Sequence, residues 1–252
     1  MTRRQMSSRT WSAHVLSLAA VRSPVPISPG PTQWDLPDPA RAMPGEDVVA
    51  VGADLEASTV LAAYQRGLFP MHLQTGDLAW WSPDPRGVLE LDDLRISRSL
   101  RKSIRRFTFT LDADFPGVMR ACAEGREEGA WITDEFLATY TRLHELGWAH
   151  SIEVWQEGAL VGGLYGIEVG GLFAGESMFH RVPDASKAAL VALVERLRVG
   201  ATDERLLDVQ WCTEHLATLG VREIPRDEYL IRLQRAVHLP AALGPDADPE
   251  DA

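Results

Sequence analysis

The chain has 252 residues, of which 45% are hydrophobic and 24% are charged, a composition typical of a globular protein with one large or two modest domains. Its formal net charge of −11 argues against a protein that coats nucleic acid with its whole surface, but is compatible with a local basic patch. The cysteines, Cys122 and Cys212, are far apart and the histidines are scattered. We therefore expect a reducing compartment, no disulfide framework and no metal site.

Both ends of the chain are predicted to be disordered. Residues 1–30 contain four arginines, no acidic residue and an apolar stretch that serine interrupts, which is too short for a signal peptide. Residues 241–252 form an acidic, proline-containing tail. Because no apolar run approaches the roughly 20 residues of a membrane span, no membrane association is expected.

The first predicted elements are a strand at residues 48–51 and a helix that Ser58 caps and Gly67 ends. In the next stretch three prolines exclude a long helix, so extended segments joined by a turn are predicted. Trp80 and Trp81 are adjacent in the second segment, so one faces inward and the other outward. The pair is either core plus edge or a platform on which a base stacks.

Residues 95–106, RISRSLRKSIRR, contain six basic residues and no acidic one. Their spacing predicts an amphipathic helix whose apolar face carries Leu100 and Ile104. The outer stripe consists of Arg98, Arg101, Lys102 and Arg105. Such a stripe is either a solvated face or, since no acid neutralises it, a contact for a phosphate backbone.

The second half of the chain predicts an α+β domain around a mixed sheet. Two helices come first, one after Pro116 and one that ends at Gly147. The elements that follow are strands at 150–155, 160–169 and 172–179, a helix capped by Ser186, a strand at 206–212, a short helix to Gly220 and a helix at 225–237. The short turns favour antiparallel hairpins, and the helix before the fourth strand permits a parallel pairing.

Asp208 and Gln210 stand two residues apart in the apolar run LLDVQWC. Because strand side chains alternate, we expect both on one face, with Leu207, Val209 and Trp211 on the other. A polar pair on a buried strand costs free energy unless it is satisfied or used. From the residues alone, a satisfied structural pair and a catalytic pair both remain open.

The segment GGLYGIEVGGLFAGESMF precedes this strand and is rich in glycine, which either relieves strand packing or lets a ligand approach the backbone. It leads into a strand rather than a helix, so it is not a phosphate-binding loop. Tyr165, Met178 and Leu190 are predicted to floor an apolar slot, with Glu176 among its few polar groups. No serine, cysteine or lysine has an evident base partner, so a covalent acyl-enzyme is not supported.

The sequence resembles the leucyl/phenylalanyl-tRNA–protein transferase family over about residues 33–235. The blocks that carry the resemblance are LAWWSPDPRGVL, ISRSLRK, EEGAWITDEFLATYTRLHELGWAHSIEVW, LVGGLYGIEVGGLFAGESMFHRVPDASKAALV and LLDVQWCTEHLATLGVREIPRDEYL. It implies a small N-terminal α/β domain at 31–86 and an N-acetyltransferase-like catalytic domain at 87–240, with a mixed, largely antiparallel sheet.

The resemblance also implies an activity and partners. Enzymes of this family transfer leucine or phenylalanine, and methionine less well, from aminoacyl-tRNA to the α-amino group of proteins that begin with arginine or lysine. The product is an N-degron, marked for proteolysis. We expect a cytoplasmic monomer without a metal or organic cofactor.

The family's functional positions map onto this chain. Gln210 would hold or accept from the attacking α-amine, and Asp208 would orient and polarise that arrangement. Glu176 would lie near the aminoacyl-adenosine, and Trp80, Trp81 and Trp131 match aromatic positions near that adenosine. The aminoacyl pocket would be lined by Tyr140, Leu164, Met178, Leu190, Leu193 and Leu197. Position 164 is leucine where the family has methionine, which would change the pocket shape.

The same resemblance assigns the basic helix to the tRNA acceptor stem. The matching cluster comprises Arg98, Arg101, Lys102, Arg105 and Arg106, although the spacing after Arg101 differs from the family pattern. A CoA-dependent N-acetyltransferase is one alternative, but RVPDAS before the predicted helix lacks the glycines that cradle pyrophosphate. A non-enzymatic RNA-binding module is another, which the acidic balance supports poorly.

Overall fold

The computed structural model describes residues 18–20, 25–124, 132–199 and 204–244, and these contain eleven strands and seven α-helices. The strands are β1 Leu18–Ala20, β2 Val48–Val51, β3 Phe69–His72, β4 Leu78–Trp81, β5 Arg86–Leu89, β6 Thr108–Leu111, β7 Ala149–Gln156, β8 Ala159–Val169, β9 Leu172–His180, β10 Leu206–Gln210 and β11 Arg222–Ile224. The helices are α1 Ala57–Tyr64, α2 Arg98–Ile104, α3 Phe115–Ala123, α4 Asp134–Glu145, α5 Ala185–Arg198, α6 Glu214–Leu219 and α7 Arg226–Ala236.

The strands form two sheets. A small antiparallel sheet has the order β2-β4-β3, and a large one has the order β1-β6-β7-β8-β9-β10-β5-β11. In the large sheet the pairs β1–β6 and β9–β10 are parallel and the other neighbours are antiparallel. The predicted α+β class and the mixed, largely antiparallel sheet are confirmed. The succession of antiparallel hairpins, a helix and a parallel strand agrees with the expected N-acetyltransferase-like arrangement.

The large sheet separates two apolar cores. On one face, α2 and α5 cover the sheet through a cluster that includes Leu100 of α2 and Val194 of α5. On the other face, helices α1, α3, α4 and α7 pack through a cluster that includes Phe136 of α4 and Leu233 of α7. Helix α5 approaches closely because Gly162 of β8 has no side chain; a Cβ there would lie 2.5 Å from the Cβ of Ala185.

Strand β5 changes the organisation expected from the sequence. It lies between β10 and β11 and runs antiparallel to both, so the residues after the SPDP segment belong to the large sheet. The proline-rich surroundings hide this short strand from sequence patterns, whereas its four residues are all buried. The boundary predicted between residues 86 and 87 thus falls inside β5, and the division into two domains stays a prediction.

A single buried arginine fastens three distant segments together. The guanidinium of Arg226, at the start of α7, donates to the carbonyl oxygens of Ala42, Met43, Glu46 and Ser82 at 2.7–3.0 Å. Its side chain is 4% exposed. These carbonyl groups belong to the segment before β2 and to the loop after β4, so α7 holds the small sheet against the large one.

Both terminal segments that were predicted to be disordered, residues 1–30 and 241–252, contain ordered residues. Strand β1 lies within residues 1–30 and pairs in parallel with β6. At the other end, Ala242 and Leu243 are buried, and their backbone N–H groups donate to the carboxylate of Glu168. The folded part of the chain therefore extends at both ends beyond the predicted limits.

Candidate active site

Two β-bulges lie on neighbouring strands. In β9 the pairing with β8 skips Glu176, and in β10 the pairing with β5 skips Val209. The parallel pairing of β9 with β10 ends at Ala174 and Asp208, just before both bulges. A bulge interrupts the ladder and re-aims the side chains around it. The two strands therefore stop pairing at the point where their polar residues begin.

A cavity of about 460 Å³ lies at this point. Its wall comes from β3, β8, β9, α5, β10 and the start of α6. The lining residues are mostly apolar: Phe69, Pro70, Met71, Leu164, Tyr165, Gly175, Glu176, Ser177, Met178, Leu190, Leu193, Leu207, Val209, Gln210, Trp211, Thr213, His215 and Leu216. Such a cavity, apolar with a few polar groups, has the character of a small-molecule site.

Asp208 lies behind the cavity in a buried ion pair. Arg86 donates from Nε to Oδ1 at 2.9 Å and from Nη2 to Oδ2 at 2.6 Å. The hydroxyl of Tyr229 also donates to Oδ2, and the backbone N–H of Gln210 donates to Oδ1, both at 2.9 Å. With four donors around it, this carboxylate holds its neighbours in place and does not reach a substrate.

The expectation that Asp208 and Gln210 share one face of the strand is wrong. Gln210 lines the cavity together with Leu207, Val209 and Trp211, whereas Asp208 is 0% exposed. The physical reason is the bulge, since Gln210 adopts the left-handed conformation with φ of +59°. The N–H that Gln210 donates to Asp208 helps to hold this turn.

Arg86 was missed in the sequence and is central to the geometry. Its side chain is 1% exposed, and its guanidinium lies 5.0 Å from the ring centroid of Phe69 and 4.4 Å from that of Tyr229. Burial is the largest influence on the pKa of Arg86 and lowers it, but the charge of Asp208, the hydrogen bonds to Asp208 and the nearby Tyr229 and Glu176 together outweigh burial, so the net pKa is raised. The only available signal was an arginine opening the otherwise apolar run RGVL.

The side chains of Gln210 and Glu176 meet in the cavity. Gln210 Nε2 donates to Glu176 Oε1 at 3.3 Å, and the hydroxyl of Tyr140 donates to Glu176 Oε2 at 3.4 Å. Behind Tyr140, the hydroxyl of Tyr64 lies 2.6 Å from that of Tyr140. Burial raises the pKa of Glu176 to about 8, and the charge of Asp208 adds to this effect, while hydrogen bonds from the two tyrosines oppose it.

The structure brings seven predicted site residues into the cavity wall: Leu164, Tyr165, Glu176, Met178, Leu190, Leu193 and Gln210. Tyr140 lies one layer behind, against Glu176, and Leu197 is 3% exposed within the core that α5 makes with the sheet. Asp208 stands behind Gln210. Further lining residues come from short elements and their flanks that sequence periodicity does not connect with the slot: Phe69, Pro70, Met71, Thr213, His215 and Leu216.

The predicted tryptophans differ in their surroundings. Trp80 is 1% exposed, and its indole N–H donates to the carbonyl oxygen of Gly52. Trp81 is half-buried, donates to the carbonyl oxygen of Met71 at 3.0 Å, and lies with its ring centroid 5.9 Å from that of Trp211 in the cavity wall. Trp131 lies outside the described residues.

The basic helix α2 is shorter than predicted but keeps its two faces. Ser97 caps it, since Ser97 Oγ accepts from the N–H of Leu100, and Leu100 and Ile104 are buried on the side of α5. The outer residues are exposed: Arg98, Arg101, Lys102, Arg105 and Arg106. In the part of the chain that the structure describes, Arg98, Arg101, Lys102 and Arg105 form no ion pair, so this face remains positively charged.

The described residues lack the groupings that a metal site or a membrane span would need. Over residues 25–124, 132–199 and 204–244, no three side chains of histidine, cysteine, aspartate or glutamate are grouped so that they could hold a metal ion. None of the described helices has the length and apolar character needed to cross a bilayer.

Comparisons with known proteins identify relatives. Residues 88–234 match the family described as Leucyl/phenylalanyl-tRNA protein transferase, and residues 53–84 match its N-terminal domain. A protein named Leucyl/phenylalanyl-tRNA–protein transferase from Anaeromyxobacter sp. (strain K) is 47% identical over 225 residues, covering 87% of this chain and 95% of that protein. Proteins of the same name from Shewanella denitrificans and Sulfurimonas denitrificans are 49% and 46% identical over 193 residues, covering 76% and 75% of this chain and 82% and 84% of theirs.

Among solved structures, L-PGS from Bacillus licheniformis aligns with a TM-score of 0.34 at 16% identity, covering 60% of this chain and 51% of that chain. That similarity is too low to support an argument about function. The sequence matches do support such an argument, because they span both predicted domains and nearly half of the aligned residues are identical. The chain belongs to the leucyl/phenylalanyl-tRNA–protein transferase family.

Proposed function

We propose that this protein transfers leucine or phenylalanine, and methionine less well, from aminoacyl-tRNA to the α-amino group of proteins that begin with arginine or lysine. The new N-terminal residue makes the product an N-degron. The observation that carries the proposal is the apolar cavity between β9 and β10, with Gln210 and Glu176 in its wall, in a chain of this family. The proposal includes a cytoplasmic location, because charged tRNA is used in the cytoplasm. It also includes a monomeric state.

The cavity suits the side chain of the transferred amino acid. Its volume of about 460 Å³ is larger than a leucine or phenylalanine side chain, so a neighbouring part of the aminoacyl-adenosine can also enter. Leu164, Leu190 and Leu193 offer an apolar surface without charge, which favours leucine, phenylalanine and methionine over polar amino acids. Trp81 is half-buried whereas Trp80 is 1% exposed, so Trp81 is the tryptophan we assign to stacking beside the adenosine.

The chemistry requires positioning more than activation. An amino acid esterified to ribose is already reactive toward a neutral amine, so the protein must hold that amine about 3–3.5 Å from the ester carbonyl. Gln210 donates through its amide nitrogen to Glu176, which leaves the amide oxygen to accept a hydrogen bond from the amine. Asp208 acts through Gln210 as a positioning residue, since it fixes the bulge and stays buried.

The charge distribution suits both macromolecular substrates. The unpaired basic residues on α2 form a phosphate-binding surface for the tRNA. The formal net charge of −11 on the whole chain favours an acceptor with a cationic N-terminus. The basic face of α2 therefore suits the tRNA, and the overall negative charge suits the cationic acceptor.

The test measures the movement of labelled leucine from leucyl-tRNA to short peptides. Peptides that begin with arginine or lysine are expected to become labelled, and a peptide that begins with alanine is not. Tight binding of acetyl-CoA without any such transfer would instead identify a CoA-dependent acetyltransferase.

Gln210→Ala connects the activity to the cavity. We expect it to lower the turnover while the affinity for aminoacyl-tRNA stays unchanged, because α2 is untouched. Gln234→Ala is the matched control, since Gln234 is exposed on α7 away from the cavity wall. Equal turnover in the two variants would remove Gln210 from the mechanism.

A further inference from the structure

The proposed reaction leaves one proton without a destination. When an amine attacks an ester, its nitrogen must lose a proton before the amide product forms. Gln210 can accept a hydrogen bond from that nitrogen, but a carboxamide is too weak a base to remove the proton. A titratable group within reach of Gln210 would receive this proton.

The cavity wall contains one carboxylate side chain, Glu176, and one imidazole side chain, His215. Glu176 is in direct contact with Gln210, at 3.3 Å between Oε1 and Nε2. His215 belongs to α6, and its side chain is exposed. An amine that hydrogen-bonds to Gln210 therefore lies beside the carboxylate of Glu176.

We propose, on the basis of the function proposed above, that Glu176 is the catalytic base that takes the proton from the attacking α-amine. The amine nitrogen forms a bond to the ester carbonyl carbon, and its proton passes to the Glu176 carboxylate. The bond between that carbon and the ribose oxygen then breaks, and the protonated Glu176 returns the proton to the ribose oxygen. The products are a peptide bond and a free tRNA 3′ end, and Glu176 is again a carboxylate.

The environment of Glu176 suits a group that gains and loses a proton in each turnover. Tyr64 on α1 and Tyr140 on α4 supply the hydrogen bonds, Asp208 on β10 adds a negative charge and Arg86 on β5 adds a positive one. Burial is the largest of these influences and disfavours the charged form, so the pKa is raised to about 8. A base whose conjugate acid has a pKa near the working pH transfers protons efficiently in both directions.

The sign of the pH dependence follows from this role. The carboxylate form is the active base, so the rate rises with pH through about 8 and falls as the pH decreases below it. The acceptor's own α-amine titrates at about 7.7–8.0 and produces a similar rise. The amine is the same for every variant, so the ratio of the wild-type rate to the Glu176→Gln rate cancels its contribution.

The experiment measures the single-turnover transfer rate at saturating leucyl-tRNA and Arg-peptide from pH 6 to pH 9.5. The ratio of wild type to Glu176→Gln is expected to rise with pH and to reach about 100-fold, the lower end of general-base contributions. Tyr140→Phe removes a hydrogen bond that lowers the pKa of Glu176, so the rise should move to higher pH in this variant. His215→Asn should leave the position of the rise unchanged.

The outcomes separate the two proposals. If the wild type transfers leucine but the ratio does not change with pH, Glu176 only positions Gln210 or the substrate, and the proton role is refuted. A rise that moves in His215→Asn and not in Tyr140→Phe would assign the proton to His215 instead. If the wild type itself transfers nothing, the proposed function fails first. Equal melting temperatures of the variants and the wild type confirm that the comparison is between folded proteins.

Discussion

Replacing Arg86 with methionine tests whether the buried ion pair holds the site together. The change preserves most of the side-chain volume but removes both hydrogen bonds to Asp208 and the positive charge between Phe69 and Tyr229. The two partners are 1% and 0% exposed, so water cannot take the place of the guanidinium. Asp208 is left as a buried carboxylate with two of its four donors.

Removing one partner of a buried pair costs about 3–5 kcal/mol. The free energy of unfolding should therefore fall by roughly this amount, measured by urea titration at neutral pH. For a protein of this size each kcal/mol shifts the melting temperature by about 2–4 °C, so the decrease should be roughly 6–20 °C. The exposed pair Arg142–Glu145 provides the control: Arg142→Met, at 59% side-chain exposure, should cost about 0.5 kcal/mol or less.

A double-mutant cycle shows whether the cost belongs to the pair. Asp208→Asn alone should also destabilise, but the double variant should lose less than the sum of the single changes, by roughly 2 kcal/mol. The transfer rate should fall in each variant, because Asp208 accepts the N–H that holds Gln210. Additive losses, or a loss in Arg86→Met no larger than in Arg142→Met, would show that the ion pair is not what fixes the site.

Two further predictions concern the backbone near Gln210 and the basic helix. Gly87→Ala would place a Cβ 2.7 Å from the carbonyl carbon of Trp211, so the segment after Gln210 must move. The transfer rate should therefore fall while tRNA binding is retained. An unchanged transfer rate would contradict this prediction. Replacing the outer residues of α2 together should lower the slope of log affinity against log salt by about one for each phosphate group that the helix no longer binds. The residues to replace are Arg98, Lys102 and Arg105. A salt slope equal to that of wild type would exclude α2 from tRNA binding.

The sequence predicts those parts of the fold that depend on local patterns. The three-stranded meander β7–β8–β9 follows from short turns and apolar alternation, and the helix before β10 permits the parallel pairing that the structure shows. Strand β5 has only four residues and follows prolines, so no local pattern distinguishes it from a loop. Its place beside β10 depends on contacts between residues more than a hundred positions apart.

The candidate site was predictable in some of its members but not in its geometry. Glu176 and Gln210 stand out as polar residues in apolar strands, and both line the cavity. Their meeting depends on two bulges, each defined by the register with a partner strand, and a single sequence does not contain that register. For the same reason the pairing of Asp208 with Arg86, 122 positions apart, could not be inferred from alternation.

The hydrogen bonds of Arg226 have a consequence for the order in which the chain matures during synthesis. The segment before β2 and the loop after β4 leave the ribosome early, but the guanidinium that binds their carbonyl groups is made with α7. Tyr229, which donates to Asp208, belongs to the same helix. A nascent chain that lacks α7 therefore lacks the hydrogen bonds from Arg226 to the segments around the small sheet. It also lacks one of the four donors around Asp208, the hydroxyl of Tyr229. The donors around Asp208 are therefore complete only once α7 has been made.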